Sequence, residues 1–276
     1  MGGARSSHKR PFETKRGTPG IFFAAVIGLS LPFWLLGEWM AVQLLPGLPI
    51  DALMVVCPAA AALILTGRQQ GGRSAIRLLR AGLDMKSVRP KAWYLPIFLI
   101  MPFVSLCAFF WLRISGTDVP APQFTAIQFF SYLLLFFAGA WCEEIGWTGY
   151  ATDLLADRFG AFGTGLALGL FSVAYHLIPL VQVGRSAEWI FFWSLGTVAL
   201  RVLIVWLYLN SGRSLLSAVL FHMTINVCWQ LFPVNGSYYS PAVTAILLGA
   251  AALGITAVYG PRTLMRHKPA ATPTSD

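Results

Sequence analysis

Charged residues are scarce in this chain. Only 11% of its 276 residues are Asp, Glu, Lys or Arg, whereas an average soluble domain contains about 25%. Hydrophobic residues make up 57% of the sequence, and the mean hydropathy is +0.67. This composition excludes an ordinary soluble enzyme and a disordered chain, and it is typical of a polytopic membrane protein.

Acidic residues are fewer than basic ones, and no two cysteines form a Cys-x-x-Cys pair. The chain has 20 Lys and Arg against 11 Asp and Glu. The basic residues lie between apolar runs, where they indicate membrane orientation, so no nucleic-acid partner is predicted. The four cysteines are predicted to be small buried hydrophobes outside any disulfide framework. They are Cys57, Cys107, Cys142 and Cys228.

Eight apolar runs approach the length of about 20 residues that a membrane-spanning helix needs. The second and fifth runs are short. The fold class is therefore predicted to be all-α, a polytopic transmembrane helical bundle of about eight spans in the lipid bilayer. The runs cover residues 20–44, 51–67, 93–113, 124–145, 161–179, 188–209, 214–231 and 240–259.

Basic residues collect in alternate connections, with seven of them in 68–92. The positive-inside rule then predicts a multi-pass integral protein with both termini cytoplasmic, and we expect a bacterial cytoplasmic membrane. The predicted organisation is a basic cytoplasmic N-terminus (1–19), N-terminal transmembrane helices (20–119) with the basic cytoplasmic loop 68–92, a core (120–232), a last transmembrane helix (233–260) and a cytoplasmic tail (261–276).

Within the basic loop, Ile76, Leu79 and Leu83 repeat at helical spacing. They indicate either a basic amphipathic helix at the headgroups or a plain topology signal.

Ionisable residues inside apolar runs usually mark function, because burying them in lipid is costly. Glu143 and Glu144 close the fourth run. Two adjacent carboxylates repel each other, and a carboxylate in such surroundings is suited to taking a proton from water beside a neutral imidazole. His176, late in the fifth run, is a candidate for that imidazole. The alternatives are an acidic helix end in contact with water and an interfacial histidine.

His222 and Asn226 lie four residues apart in the seventh run, so they project from one face of a helix. Both side chains can donate hydrogen bonds. Together they could hold a carbonyl oxygen as negative charge grows on it. A hydrogen bond between two transmembrane helices is the alternative explanation for the pair.

These elements, in this order, resemble the CPBP family of intramembrane endopeptidases. That family includes the type II CAAX prenyl endopeptidases, bacteriocin-processing and self-immunity proteins, and proteins once grouped as abortive-infection (Abi) factors. Its pattern is Glu-Glu-x-x-x-Arg, Phe-x-x-x-His and His-x-x-x-Asn on separate helices. Glu143-Glu144, His176, and His222 with Asn226 match these motifs, and the resemblance covers roughly residues 120–232.

The chain departs from the family pattern at two positions. Thr148 replaces the arginine, and Ser172 stands four residues before His176, where phenylalanine is expected. Arg201, deep in the sixth run, is a charge that needs an acidic partner, and Glu144 and Glu38 are the candidates. We hypothesise that Arg201 replaces the missing arginine from another helix. The alternative is that this protein has lost its activity.

The resemblance implies hydrolysis of a peptide bond in a water-containing cavity open to the cytoplasmic half of the bilayer. It implies that Glu143 and His176 activate the water, that His222 and Asn226 stabilise the oxyanion, and that Glu144 supports the geometry. The expected substrate is a membrane-presented peptide or protein. A proton-coupled transporter and a non-catalytic immunity or partner protein could use the same embedded residues and remain alternatives.

The sequence is compatible both with a bound metal ion and with a metal-free site. His176, His222 and a glutamate could bind Zn²⁺ in the three-ligand pattern of catalytic zinc, and the family is often called a metalloprotease. The sequence lacks His-Glu-x-x-His, whose spacing presents two imidazoles on one helix face. A metal-free mechanism is equally compatible, so the metal ligands stay unassigned.

The predicted spans place two of the candidate catalytic residues at different depths in the membrane. They place Glu143 near the inner face and His176 about 22 Å deeper, since a helix rises 1.5 Å per residue. For the two to meet, the fourth helix must extend or tilt, or residues 146–160 must enter the membrane.

Overall fold

The computed structural model describes residues 18–40 and 42–265, and most of the predicted N-terminal segment and tail lies outside them. It is an all-α bundle, which confirms the predicted fold class. The α-helices are α1 (Pro19–Trp39), α2 (Val56–Gln70), α3 (Gly72–Ala81), α4 (Tyr94–Ile114), α5 (Ala126–Glu144), α6 (Asp153–Gln182), α7 (Ala187–Asn210), α8 (Leu215–Leu231) and α9 (Pro241–Tyr259).

Each of the eight predicted runs contains an apolar helix. In the described part of the chain, six helical stretches are long and apolar enough to cross a membrane, and α8 is a shorter apolar helix. One of the six is the continuous stretch Ala126–Gln182, which contains both the fourth and the fifth predicted runs. The number of spans and the side of the termini therefore stay predictions.

The first predicted run extends too far. Helix α1 ends at Trp39, and Gln43–Leu45 instead pairs antiparallel with Leu48–Pro49. The turn between these strands contains Gly47 with φ of 77°, a conformation that glycine adopts without steric cost. A 3₁₀ helix, Ile50–Val55, then leads into α2, and a second one, Lys91–Trp93, leads into α4.

Helices α5 and α6 are joined without a surface loop. A π-helical segment, Ile145–Thr152, continues α5 directly into α6, and seven of its eight residues are buried. Helix α6 then bends at Gly160, which has φ of 70°. A side chain there would meet the Arg262 carbonyl oxygen at 3.0 Å. This extension bears on the predicted difference in depth, because residues 146–152 continue the helix and are almost all buried, whereas residues 157–159 are exposed and the chain bends at Gly160. Single-turn π segments are frequent at functional sites.

The centre of the bundle is formed by α7 and α8. All residues from 201 to 209 and from 214 to 224 are buried, as expected for helices surrounded by others. Helix α6 approaches α7 through two glycines. A Cβ on Gly165 would lie 2.8 Å from the Val202 Cα, and one on Gly169 would lie 2.7 Å from the Val198 Cα. Only glycine permits this close approach, which fixes the position of Arg201 relative to α6.

The connections between helices gather at two ends of the bundle. At one end, which we call the basic end, the 71–93 connection bonds to the α7–α8 connection, with Arg89 N donating to Ser211 O at 2.9 Å. Asn210 at this end donates to Leu264 O at 2.7 Å. At the other end, which we call the rim end, Gln230 donates to Pro46 O at 3.1 Å, and Gln123 N donates to Pro233 O at 3.1 Å.

Helix α3 confirms the helix predicted in the basic loop. Leu78 packs into the protein with 1% exposure, while Ile76 is 50% exposed. Leu83, predicted to continue the apolar face, lies beyond the end of the helix. The arginines of α3, namely Arg73, Arg77 and Arg80, are exposed. Exposed apolar and basic side chains on one short helix suit the headgroup region of a membrane.

Candidate active site

Five of the seven predicted site residues line one cavity of about 300 Å³ in the bundle, whereas Glu144 and Thr148 are not part of its wall. Helices α5, α6, α7 and α8 each contribute polar side chains to its wall. The structure therefore brings together residues that are up to 83 positions apart in sequence, while their chemical roles stay predictions. These polar wall residues include Glu143, Ser172, His176, Arg201, His222 and Asn226.

The Glu144 carboxylate is fully buried and accepts three hydrogen bonds. Its Oε1 lies 2.5 Å from Arg201 and 2.8 Å from His222 Nδ1, and its Oε2 accepts from the Thr148 hydroxyl at 2.5 Å. The predicted contact between Arg201 and Glu144 is therefore confirmed. Glu38, the other candidate partner, is exposed and accepts a bond from Gln182. A buried carboxylate with this many donors is held rigidly.

Glu143, beside it, is held by fewer contacts. Its Oε2 accepts from Trp147 Nε1 at 2.9 Å and lies 3.6 Å from an Arg201 nitrogen. Arg201 thus offsets the repulsion between the two adjacent carboxylates, and its guanidinium also lies 5.8 Å from the centre of the Trp147 ring. Trp147 was missed in the sequence. The available signal was its position four residues after Glu143, which places the two side chains on one helix face.

The orientation of His176 is set by the backbone of its own helix. Its Nδ1 lies 2.8 Å from the carbonyl oxygen of Ser172. A carbonyl oxygen only accepts hydrogen bonds, so Nδ1 carries the hydrogen, and the Nε2 of the neutral ring keeps its lone pair. Because Ser172 contributes a main-chain oxygen, the missing phenylalanine does not alter this bond. Tyr175 and Trp193 hold the ring at centroid distances of 4.9 and 5.5 Å. Nothing in the sequence pointed to Trp193.

His222 and Asn226 lie one turn apart on α8, and both line the cavity. His222 Nδ1 donates to Glu144, which leaves Nε2 as the nitrogen for a substrate. Nε2 donates a hydrogen bond only when the ring is protonated, and the Glu144 carboxylate provides the compensating negative charge. Asn226 offers an amide N–H in every protonation state.

The residues present do not form a zinc site. In the ranges that the structure covers, no group of three or more His, Cys, Asp or Glu side chains is arranged to hold a metal ion. Asn226, the polar side chain that α8 places in the wall together with His222, is a poor zinc ligand. Among the described residues, His176, His222 and a glutamate are therefore not arranged as the three-ligand zinc site that the sequence allowed.

The cavity extends from this cluster toward the rim end. Its wall there includes Gly47 and Pro49 of the α1–α2 connection, Arg185 of the α6–α7 connection and Tyr239 of the α8–α9 connection. With both termini cytoplasmic, the basic end would face the cytoplasm and the rim end the opposite side. The resemblance, in contrast, implies a cavity open to the cytoplasmic half. These two expectations exclude each other.

A polytopic helical bundle with a glutamate, two histidines and an asparagine around a central cavity has the architecture of an intramembrane enzyme. Residues 125–228 match the family model of the type II CAAX prenyl endopeptidases, described as Rce1-like. The chain is also 24% identical to CAAX prenyl protease 2 of Methanococcus maripaludis over 260 residues, which cover 85% of this chain and 92% of that protein. The resemblance found in the motifs is confirmed.

The matched range contains all the predicted site residues, with Arg201 and Thr148 among them. Both similarities support an integral membrane protein that is an endopeptidase. Neither supports the narrower expectations of a metalloprotease or an abortive-infection protein.

Proposed function

We propose that this protein is an intramembrane endopeptidase that hydrolyses a peptide bond with water activated by Glu143 and His176. The observation that carries the proposal is the shared cavity. Glu143, His176, His222 and Asn226 come from three helices and line the same space, whose wall is otherwise mostly apolar. Apolar walls strengthen the electrostatic interactions between the polar groups of a site, because they lower the local polarity.

In the proposed reaction, a water molecule binds between the Glu143 carboxylate and His176 Nε2. Glu143 accepts a proton as the water oxygen attacks the carbonyl carbon, and His176 orients the water. The negative charge that develops on the carbonyl oxygen is held by donors from Asn226 and protonated His222. When the C–N bond breaks, Glu143 returns the proton to the leaving amine. Atoms and charge balance without an acyl-enzyme intermediate.

Glu144 and Arg201 are positioning residues in this proposal. Glu144 fixes the imidazole of His222 through the 2.8 Å bond to Nδ1, and Arg201 fixes Glu144. The pair therefore aims Nε2 into the cavity. Preorganised donors of this kind contribute more to catalysis than flexible ones, because they need no reorientation during the reaction.

The substrate is proposed to be a membrane-presented peptide or protein. The relative named CAAX prenyl protease 2 makes a prenylated carboxyl-terminal peptide the first substrate to test. The apolar side chains in the cavity wall, such as Met101, Leu135 and Phe136, suit a lipid-modified or otherwise apolar segment.

The test is cleavage of reporter peptides, prenylated and unmodified, by the purified full chain in lipid nanodiscs. We expect Glu143→Gln to lower kcat by about 10²–10⁴-fold, the usual contribution of a general base. Glu188→Gln is the matched control, because Glu188 is exposed in the first turn of α7. A folded wild-type protein that cleaves no peptide, or a Glu143→Gln variant with full activity, contradicts the proposal. A transporter or a non-catalytic partner would give the first result.

A further inference from the structure

Arg185 is a cation in the wall of the cavity at its rim end. It lies in the α6–α7 connection and is partly buried, with its guanidinium 4.6 Å from the centre of the Trp189 ring. A Cβ on Gly47 would lie 3.9 Å from one of its terminal nitrogens, so the turn between the two short strands also confines it. In the described ranges, none of the ion pairs involves Arg185.

A partly buried arginine without a counter-ion favours an anionic ligand. Its planar guanidinium presents two parallel N–H groups that match the two oxygens of a carboxylate. Stacking on Trp189 keeps the plane of the guanidinium fixed, which reduces the entropy lost when a ligand binds.

An aromatic wall connects this arginine to the reacting groups. Trp189 stacks with Trp193 at a centroid distance of 6.4 Å, and Trp193 contacts the His176 ring at 5.5 Å. Four side chains thus form a continuous row from the imidazole to the guanidinium, and all of them line the cavity. An extended peptide advances about 3.3 Å per residue, so a row of this length accommodates a tail of a few residues.

Among the described residues no acidic side chain forms an ion pair with Arg185, although the buried Asp51 lines the same cavity. The nearest phenol on this wall is Tyr239, whose ring lies 6.2 Å from Trp189. Burial raises the pKa of Tyr239 to about 12, so its hydroxyl stays neutral at physiological pH. Along this wall, a carboxylate that enters from the rim end therefore meets a cation, a neutral hydroxyl and indole rings, and the Asp51 carboxyl lies elsewhere in the same cavity.

We propose that Arg185 binds the free carboxyl-terminal carboxylate of the substrate while the scissile bond lies at Glu143 and His176. The enzyme then releases a short carboxyl-terminal peptide whose length is set by the distance along the Trp189–Trp193 wall. This inference rests on the proposed endopeptidase function, because it assigns a specificity-determining residue to the same cavity.

The test compares three peptides of one sequence that differ at the carboxyl terminus. The first ends in a free carboxylic acid and the second in a neutral amide. The third also ends in a neutral amide, but its last residue is replaced by Asp, so that the negative charge lies on a side chain. We expect wild-type protein to cleave the free acid with a kcat/KM about tenfold or more above that of the amide, which is typical of a charge-assisted bidentate contact. For Arg185→Gln the ratio of kcat/KM for the acid to kcat/KM for the amide should fall toward one. Arg185→Lys should give a ratio between those of the wild type and Arg185→Gln.

Arg113→Gln is the matched control. Arg113 also stacks on an aromatic ring, at 5.7 Å from the Phe109 centroid, but it does not line the cavity. It should keep the wild-type ratio. Equal cleavage of acid and amide by wild-type protein overturns the inference, as does a folded Arg185→Gln variant with the wild-type ratio. If the Asp-amide peptide is cleaved as well as the free acid, and better than the plain amide, then Arg185 recognises any nearby carboxylate. That result overturns the assignment of Arg185 to the carboxyl-terminal carboxylate.

A binding measurement separates failure of this inference from failure of the proposed function. Fluorescent free-acid and amide peptides are titrated against Glu143→Gln, with and without Arg185→Gln, in nanodiscs. Tighter binding of the acid that depends on Arg185 supports the subsite even where wild-type protein shows no cleavage. Equal affinity for both peptides overturns it even where cleavage is observed.

Discussion

The guanidinium of Arg201, in the centre of α7, lies 2.5 Å from the Glu144 carboxylate at the end of α5. The family pattern supplies an arginine four residues after this glutamate, on the same helical segment, and here that position is Thr148. In this chain a cation reaches the carboxylate from a different helix, and the Thr148 hydroxyl bonds to the other carboxylate oxygen. The charge balance of the site consequently depends on how α7 packs in the bundle.

Removal of this cation should destabilise the protein as well as abolish activity. In Arg201→Gln, the fully buried Glu144 would keep only His222 and Thr148 as partners. Breaking a buried ion pair by removing one member costs about 3–5 kcal/mol. Thermal unfolding in detergent should show a clear drop in Tm, and Arg201→Lys should restore part of it. The exposed Arg113→Gln variant should keep the wild-type Tm. A stable and active Arg201→Gln protein would mean that Arg201 balances no essential charge.

Asn226 should affect turnover more than stability. Its side chain is partly exposed to the cavity on α8, and no hydrogen bond from it to another described residue is present in the fold. We expect Asn226→Asp, which keeps the size but loses the N–H donor, to lower kcat by about 10²–10³-fold. Steady-state kinetics should show a much smaller change in KM, and the Tm should stay close to that of the wild type. A change confined to KM would assign Asn226 to substrate binding.

The glycines of α6 should be required for packing. A methyl group on Gly169 would lie 2.7 Å from the Val198 Cα, and the backbone of α7 can move aside only by shifting Arg201 as well. Overpacking of this kind costs about 1–3 kcal/mol. Gly169→Ala should therefore lower both Tm and activity. Gly254→Ala is the control, since a Cβ on this helical glycine of α9 meets no atom within 4 Å. Equal Tm values for the two variants would contradict this packing argument.

Much of this architecture could be predicted from the sequence because lipid imposes strong rules. Apolar runs located the helices, since every spanning segment must satisfy its backbone hydrogen bonds internally. A lone buried charge requires a partner, and that requirement narrowed the partner of Arg201 to Glu144 or Glu38, of which the structure shows Glu144. The four-residue spacing likewise singled out His222 and Asn226, because side chains four residues apart share a helix face.

Other features depend on tertiary packing and could not be predicted. The π-helical join at residues 145–152 leaves no period in the sequence, which gave no sign that α5 continues directly into α6. The contact of Trp193 with His176 joins α7 to α6 and has no local signal. The direction of the cavity was equally hidden, because hydropathy locates helices along the membrane normal but does not show which end of a central cavity is open.

The side of the membrane that the cavity faces can be tested by labelling, because the basic end and the rim end lie at opposite ends of the bundle. The dominance of Lys and Arg in the 68–92 connection predicts that the basic end is cytoplasmic, and that the rim end is external. In a chain whose four native cysteines are replaced by alanine, Ser237→Cys at the rim end and Lys86→Cys at the basic end each place a thiol at an exposed position. A membrane-impermeant maleimide should label Ser237→Cys in intact cells and Lys86→Cys only after lysis. The reverse pattern would contradict the predicted topology and would mean that the catalytic cavity opens to the cytoplasm, so that substrates reach Glu143 from that side.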